Sequence, residues 1–299
     1  MIHGIINVYK EKGFTSHDVV AKLRGIVGQK KIGHTGTLDP DATGVLPVCL
    51  GKATKLCDLL TDKNKTYEAV LLLGKTTDTQ DITGEVLEEK STEALTEEKV
   101  REAIEGFIGD YEQIPPMYSA LKVNGKKLYE LAREGKVIER KTRPVKILDI
   151  QILEIDLPKV RMEVSCSKGT YIRTLCHDIG EKLGCGGCME SLIRTRVSTF
   201  RIEDAKMLDE IETLKQEGKL AELLVPIDAM FPSYPKITVK DDWKAFAKNG
   251  NPLDLKMLKE ACGQDEETQV RLYDESGKFI ALYQWKEKKY HIVKMFFNE

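Results

Sequence analysis

The stretch Gly33-His34-Thr35-Gly36-Thr37-Leu38-Asp39-Pro40-Asp41-Ala42-Thr43-Gly44-Val45-Leu46-Pro47-Val48 decides how this chain is read. Gly33, Gly36 and Gly44 admit backbone angles that other residues resist. Pro40 removes an amide donor and pushes Asp39 toward an extended conformation. Leu38 and the apolar run from Val45 to Leu50 would wall the Asp39 carboxylate with hydrocarbon, so it needs a positive partner to stay ionised. A loop of this kind suits a placed catalytic carboxylate. A plain turn aspartate before a proline is spelled the same way, and spacing alone leaves both readings open.

Working outward, 299 residues exceed the usual size of one core and imply two domains, or one large domain with an appendage. Apolar residues make up 41%, enough for a sizeable core. No apolar run approaches the roughly 20 residues that span a membrane, and the start Met1-Ile2-His3-Gly4 lacks a charged leader, so a cytoplasmic protein without membrane contact is expected. The 7 cysteines are scattered through apolar or helical contexts such as Cys49, Cys57 and Cys176, which fits reduced thiols. Cys185-Gly186-Gly187-Cys188 finds no second pair to complete a zinc site, so no metal is expected.

The net charge of −2 conceals segregation along the chain. Lys122, Lys126, Lys127, Arg133, Lys136, Arg140, Lys141, Arg143 and Lys146 meet only Glu130, Glu134 and Glu139, and such a stretch could track a phosphate backbone or form a solvated face. The preceding stretch, with Asp78, Asp81, Glu85 and many further acids up to Glu112, is expected to face water or repel nucleic acid.

Periodicity predicts mixed α and β structure. Thr15-Ser16-His17-Asp18 followed by Val19, Val20, Leu23, Ile26 and Val27 reads as a capped amphipathic helix, and Thr96 to Phe107 as a second. Tyr67 to Leu73 and Val160 to Cys166 read as strands. Helical spacing resumes from Tyr171 to Leu183, placing Lys168 and Gly169 at a strand-to-helix turn and Arg173 in the first turns of the helix. Pro226, Pro232 and Pro235 punctuate a linker before short strands at Ile237 to Val239, Gln269 to Tyr273 and Phe279 to Trp285, the pattern of a small β-rich tail domain.

The Asp39 loop resembles the catalytic motif of the TruB family of tRNA pseudouridine-55 synthases. Lys65-Thr66-Tyr67-Glu68-Ala69 is similar to the family's second motif, and Cys166-Ser167-Lys168-Gly169-Thr170-Tyr171-Ile172-Arg173-Thr174-Leu175 to its third, in the family's order. Gln113 to Lys122 and Leu192 to Val197 add two more family-like stretches. The resemblance implies an α+β pseudouridine synthase fold, a mixed and largely antiparallel sheet flanked by helices. It also implies a division into residues 1–230, carrying the catalytic machinery with a basic insertion at about 120–146, and residues 231–299, similar to a PUA-like RNA-binding module.

The implied chemistry uses no cofactor: a uridine at position 55 of the tRNA T-loop is detached at N1–C1′, turned over while held, and rejoined through C5. Its base must be flipped out of the RNA stack to be reached. The family pattern makes Asp39 the catalytic carboxylate, Tyr67 the aromatic face for the base, and Arg173 the cation that holds Asp39. Alone, Tyr67 would read as a buried strand aromatic and Arg173 as a surface helix residue. The same pattern gives substrate-contacting roles to His34, Leu192, Lys168, Tyr171 and Arg194, with Lys168, Arg194, Lys126 and Lys127 as phosphate contacts. Where many family members carry Lys-Pro before a glycine, this chain reads Lys10-Glu11-Lys12-Gly13, which puts the rigidity of that loop in doubt. The expected partner is the tRNA T-arm, met by a monomer with no obligate protein partner. Two other readings follow from the same resemblance: a tRNA-binding or folding chaperone in which catalysis is secondary, and an RNA-guided relative working inside a complex.

Overall fold

The computed structural model describes residues 1–123 and 125–297; Asn298 and Glu299, the last two positions of the expected tail domain, lie outside them. Strand β1 (Gly4–Lys10) leads into α1 (Ser16–Val27). Thr15 caps that helix by accepting from the Asp18 amide, while the Asp18 carboxylate accepts from the Thr15 amide at 2.8 Å and hydroxyl at 2.6 Å. The helix read from spacing is therefore present, and its buried stripe is Val19, Val20, Leu23 and Val27.

Next come β2 (Ile32–His34), β3 (Thr43–Leu50), a short α2 (Cys57–Thr61) and β4 (Lys65–Leu73), in which Lys65, Tyr67, Ala69, Leu71 and Leu73 alternate inward. A small hairpin, β5 (Lys75–Thr77) and β6 (Val86–Glu89), precedes α3 (Glu97–Glu105), which Thr96 caps as expected. Edge strand β7 (Gly109–Gln113) is followed by the basic insertion, with β8 (Lys122–Val123), β9 (Lys126–Lys127) and α4 (Leu128–Arg133). The long β10 (Arg143–Asp156) and β11 (Lys159–Cys166) then lead to α5 (Ile172–Lys182), β12 (Gly187–Val197), β13 (Phe200–Arg201) and α6 (Leu208–Gln216). The C-terminal part holds β14 (Lys236–Val239), α7 (Lys244–Lys248), β15 (Leu258–Glu260), β16 (Gln269–Tyr273), β17 (Phe279–Lys286) and β18 (Lys289–Met295).

The nine-stranded main sheet runs β1-β3-β12-β4-β11-β10-β7, with β13 beside β12 and β2 beside β3. Among the described residues its pairings are antiparallel except β3 with β12, where Ile193 stands opposite Thr43 and Arg194 opposite Gly44. That parallel contact sets the Asp39 loop, which enters β3, against the strand carrying Leu192 and Arg194. Leu175, Cys176 and Ile179 of α5 join Leu71, Val160, Met162 and Val164 of the sheet in one core, while α1 packs with Val8, Leu46 and Val48 and with Ile211 of α6 in another. The five C-terminal strands form a separate sheet in the order β15-β14-β16-β17-β18 around its own core. Leu282 and Phe296 of this β domain pack with Ile5, Val45 and Cys49 of the main sheet, so the two sheets share a buried seam.

Candidate active site

Residues 35–42 form the loop between β2 and β3, and three polar side chains hold it from different directions. Ser16, wholly buried at the start of α1, accepts from the Leu38 amide at 2.9 Å. Lys10, wholly buried at the end of β1, donates to the carbonyls of Pro40 at 3.0 Å, Phe14 at 2.6 Å and Glu11 at 3.1 Å. Gly13 adds a backbone bond to the Pro40 carbonyl at 2.9 Å. Without its proline, the 10–13 loop is thus fixed by the Lys10 ammonium, which resolves the doubt about its rigidity. Burial pushes Lys10 down to about 8, against the pull of Asp39 and Asp41.

Arg194 is the third support and corrects an expectation. Read as a phosphate contact, it is 1% exposed and turned inward, donating to the carbonyls of Val45 at 2.8 Å, Gly36 at 3.2 Å and Thr37 at 3.5 Å. An arginine on an inward-facing strand position must spend its donors on nearby acceptors, and the loop supplies them. Gly44 makes this approach possible: with φ +104°, an added Cβ would sit 2.3 Å from the Arg194 carbonyl oxygen.

The loop presents Asp39 to Arg173, 134 residues away in sequence. Arg173 Nε lies 3.0 Å from Asp39 Oδ2, and its Nη2 donates to Oδ1 at 3.4 Å. The arginine side chain is 6% exposed and the aspartate 43%, so the carboxylate faces open space while its partner is rooted. Arg173 is fixed further by the carbonyls of Thr79 at 3.0 Å and Tyr118 at 2.8 Å and by Asp81, 3.7 Å from Nη1. Burial nevertheless raises the Asp39 pKa above the ordinary carboxylate value; Arg173 pulls it down and Asp81 adds to the rise.

Tyr67 on β4 stands opposite Arg194 in the sheet and is 7% exposed. Burial pushes its hydroxyl up to about 12, with Arg194 beside it acting the other way, so the phenol is neutral. Tyr67, Leu192, Leu38 and Ala42 belong to one buried cluster beneath the Asp39 loop. His34 ends β2, half-buried, meeting His17 edge-on at 5.2 Å and accepting from the Gly36 amide at 3.3 Å. Burial, His17 and Arg194 all lower its pKa, so the imidazole is neutral at pH 7. Tyr171 precedes α5, and its backbone pairs both ways with the Gln113 amide, at 2.8 and 3.0 Å. Lys168 stands apart: it is exposed and paired with Asp62 at 2.9 Å.

The acidic stretch also departs from its expectation. Asp78 accepts from the Tyr118 hydroxyl at 3.2 Å and the Glu85 amide at 2.8 Å, and Asp81 is 15% exposed beside Arg173, so the first two acids build the site instead of facing water. Gln80 accepts from the Thr174 hydroxyl at 2.7 Å, tying the same turn to α5. The segment that leads into the basic insertion reaches the site through the Tyr118 carbonyl, and within the insertion Glu134 takes up part of the charge by pairing with Lys126 and Lys136. All 7 cysteines are free thiols, with Cys185 and Cys188 buried.

Residues 24–172 match the N-terminal domain of TruB family pseudouridylate synthases, and residues 173–232 match the tRNA pseudouridylate synthase B C-terminal domain. A tRNA pseudouridine synthase B from Lachnoclostridium phytofermentans is 58% identical over 99% of this chain and 100% of that protein. One from Bacillus pumilus is 44% identical over 98% and 96%, respectively. Among solved structures, an H/ACA RNP bound to a substrate RNA containing 2′-deoxyuridine aligns with a TM-score of 0.73 at 27% identity, covering 99% of this chain and 85% of that one. A Cbf5-Nop10-Gar1 complex gives 0.72 at 29%, covering 98% and 85%. With both halves of the Asp39–Arg173 site inside the matched regions, the chain belongs to the TruB family of pseudouridylate synthases.

Proposed function

We propose that this protein isomerises uridine to pseudouridine at position 55 in the T-loop of tRNAs, using Asp39 as the catalytic carboxylate. The observation that carries the reading is the Asp39–Arg173 pair: a half-exposed carboxylate held by a buried arginine that is itself fixed by two carbonyls and a second aspartate. Relatives at 42–58% identity across nearly the whole chain are named tRNA pseudouridine synthase B, which supports the substrate.

In this reading the target nucleotide leaves the T-loop and enters the opening in front of Asp39. Tyr67 gives the uracil an aromatic face and Leu192 an apolar wall, while neutral His34 occupies space near the displaced nucleotide. Ionised Asp39 assists cleavage of N1–C1′, by attack on sugar or base or by taking a sugar proton. The freed uracil turns, C5 bonds to C1′, and the C5 hydrogen leaves as a proton. Arg173 keeps the carboxylate charged and aimed, because a guanidinium retains its charge in a buried setting. Tyr171 and Lys168 belong to the rim, where Lys168, Lys126 and Lys127 contact phosphate. Residues 1–230 form the catalytic domain and 231–299 a PUA-like RNA-binding domain. The protein acts in the cytoplasm as a monomer, without cofactor or obligate protein partner.

The structural neighbours found in multiprotein RNA assemblies share 27–29% identity, well below the tRNA-enzyme relatives, which favours the stand-alone reading. A chaperone reading gives no reason to hold a carboxylate toward a polyanion, where like charge weakens binding. The test is carbodiimide mapping of an unmodified tRNA transcript after incubation with the protein. A new block at position 55 is expected; blocks elsewhere only, or none, would overturn the proposal.

A further inference from the structure

Helix α5 carries Arg173 in its first turn, yet among the described residues its own cap position, Tyr171, gives the helix start no side-chain hydrogen bond. The start is held from outside. Gln113, the last residue of edge strand β7, is 1% exposed and turns its amide onto the Tyr171 backbone. Its Oε1 accepts from the Tyr171 N–H at 2.8 Å, and its Nε2 donates to the Tyr171 carbonyl at 3.0 Å. A buried amide that donates and accepts at once fixes the chain it meets in both position and direction.

Two residues earlier, on the same face of β7, Tyr111 donates its hydroxyl to Asp178, which lies nearly two turns along α5 from Tyr171. The strand therefore meets the helix at two points along its axis, which sets the helix in translation and in tilt. The same strand leads into the segment that supports Arg173 from its other side. Pro115-Pro116 stiffen that path, Arg140 donates to the Pro115 carbonyl at 3.0 Å, and the Tyr118 carbonyl accepts from Arg173 Nη2 at 2.8 Å. Gln113 stands where the two supports branch. We propose that Gln113 is a positioning residue for the isomerisation: its amide sets the start of α5, and through it the place of the Arg173 guanidinium against Asp39, with Tyr111 as the second brace. The inference rests on the reading of Asp39 and its tRNA substrate above.

The experiment measures pseudouridine formation in a tRNA transcript in single turnover across pH, with tRNA affinity and thermal unfolding alongside, for wild type, Gln113→Leu, Gln113→Glu and Tyr111→Phe. A misplacement near 1 Å costs catalysis about 100-fold, so Gln113→Leu is expected to lose about that factor in rate while binding tRNA within about twofold. Its acid limb should move up, because Arg173 is the charge that opposes the raised Asp39 pKa. In Gln113→Glu the ionised carboxylate keeps the bond from the Tyr171 N–H but repels the Tyr171 carbonyl, whereas the protonated carboxyl donates to that carbonyl and restores both bonds. Its rate relative to wild type should rise as pH falls, which a merely structural role in a folded protein would not produce. Tyr111→Phe, which keeps the ring, should show a smaller loss of rate. A folded Gln113→Leu with the wild-type rate and acid limb, or a Gln113→Glu whose rate relative to wild type is flat across pH, would overturn the inference. If the leucine variant does not fold, the glutamate variant decides alone. Absence of product from wild type would instead overturn the substrate reading, and this inference with it.

Discussion

Replacing Arg194 with methionine separates its two possible roles. Methionine matches its reach without its charge or donors. The structure places three carbonyls on the guanidinium: Val45, buried, at 2.8 Å; Gly36, partly buried, at 3.2 Å; and Thr37, exposed, at 3.5 Å. Thr37 can turn to water, so the loss falls on the other two acceptors, at about 1–3 kcal/mol for a buried one left unsatisfied. Removing a buried charge returns part of this. The net expectation is a destabilisation of about 2 kcal/mol, which for a chain of this size lowers Tm by roughly 3 °C. Turnover should fall further, about 100-fold, because the loop that aims Asp39 loses its anchor and a misplacement near 1 Å is costly to catalysis. The assays are thermal unfolding, single-turnover isomerisation, and tRNA affinity against salt. Unchanged Tm and turnover, with the salt slope reduced by about 1, would refute the anchoring role and restore Arg194 as a phosphate contact.

Further outcomes follow from the same geometry. Gly44→Ala should destabilise by more than 2 kcal/mol in a denaturant titration, roughly the sum of strain at φ +104° and displacement of the β12 backbone that its Cβ would meet at 2.3 Å; a variant as stable as wild type would contradict that contact. Asp39 has a folded pKa raised above its unfolded value, so its ionisation costs stability, the cost setting in as pH rises through the raised pKa and persisting at neutrality. Asp39→Asn should therefore be at least as stable as wild type at pH 7 by urea unfolding and bind tRNA within about tenfold, or ~1.4 kcal/mol, whereas a large loss of either would make Asp39 structural. The acid limb of the wild-type rate profile should lie above the ordinary aspartate range, and Arg173→Met, which removes the main opposing charge, should move it higher while lowering turnover. A limb that stays fixed in Arg173→Met would break the link between the two residues.

What the sequence made legible was local. The Thr15 and Thr96 caps, the inward alternation of β4 and β11, and the strands at 237–239, 269–273 and 279–285 follow from spacing within a few turns of chain. Long β10 was not read, because its burial pattern is sparse and two irregularities shift its register against β11. Asp81 reads in sequence as part of a solvated acidic run, since nothing in its neighbourhood announces Arg173, which reaches it from α5 across the fold. The sequence gives Lys10 no role and reads Arg194 as a phosphate contact for a shared reason: a charged residue on a strand gives no sign of whether it faces solvent or a row of loop carbonyls. The family motifs supplied Asp39, Tyr67 and Arg173 together, yet the supports that fix them became visible only in three dimensions.

The most direct test of the central claim is tritium release from a tRNA transcript carrying C5-labelled uridine, measured with wild type and with Asp39→Asn shown to be folded and tRNA-binding. Isomerisation must expel the C5 hydrogen, so wild type is expected to release label while the variant releases none above background. Equal release by both proteins, or none from wild type that binds the transcript tightly, would contradict a synthase that works through Asp39.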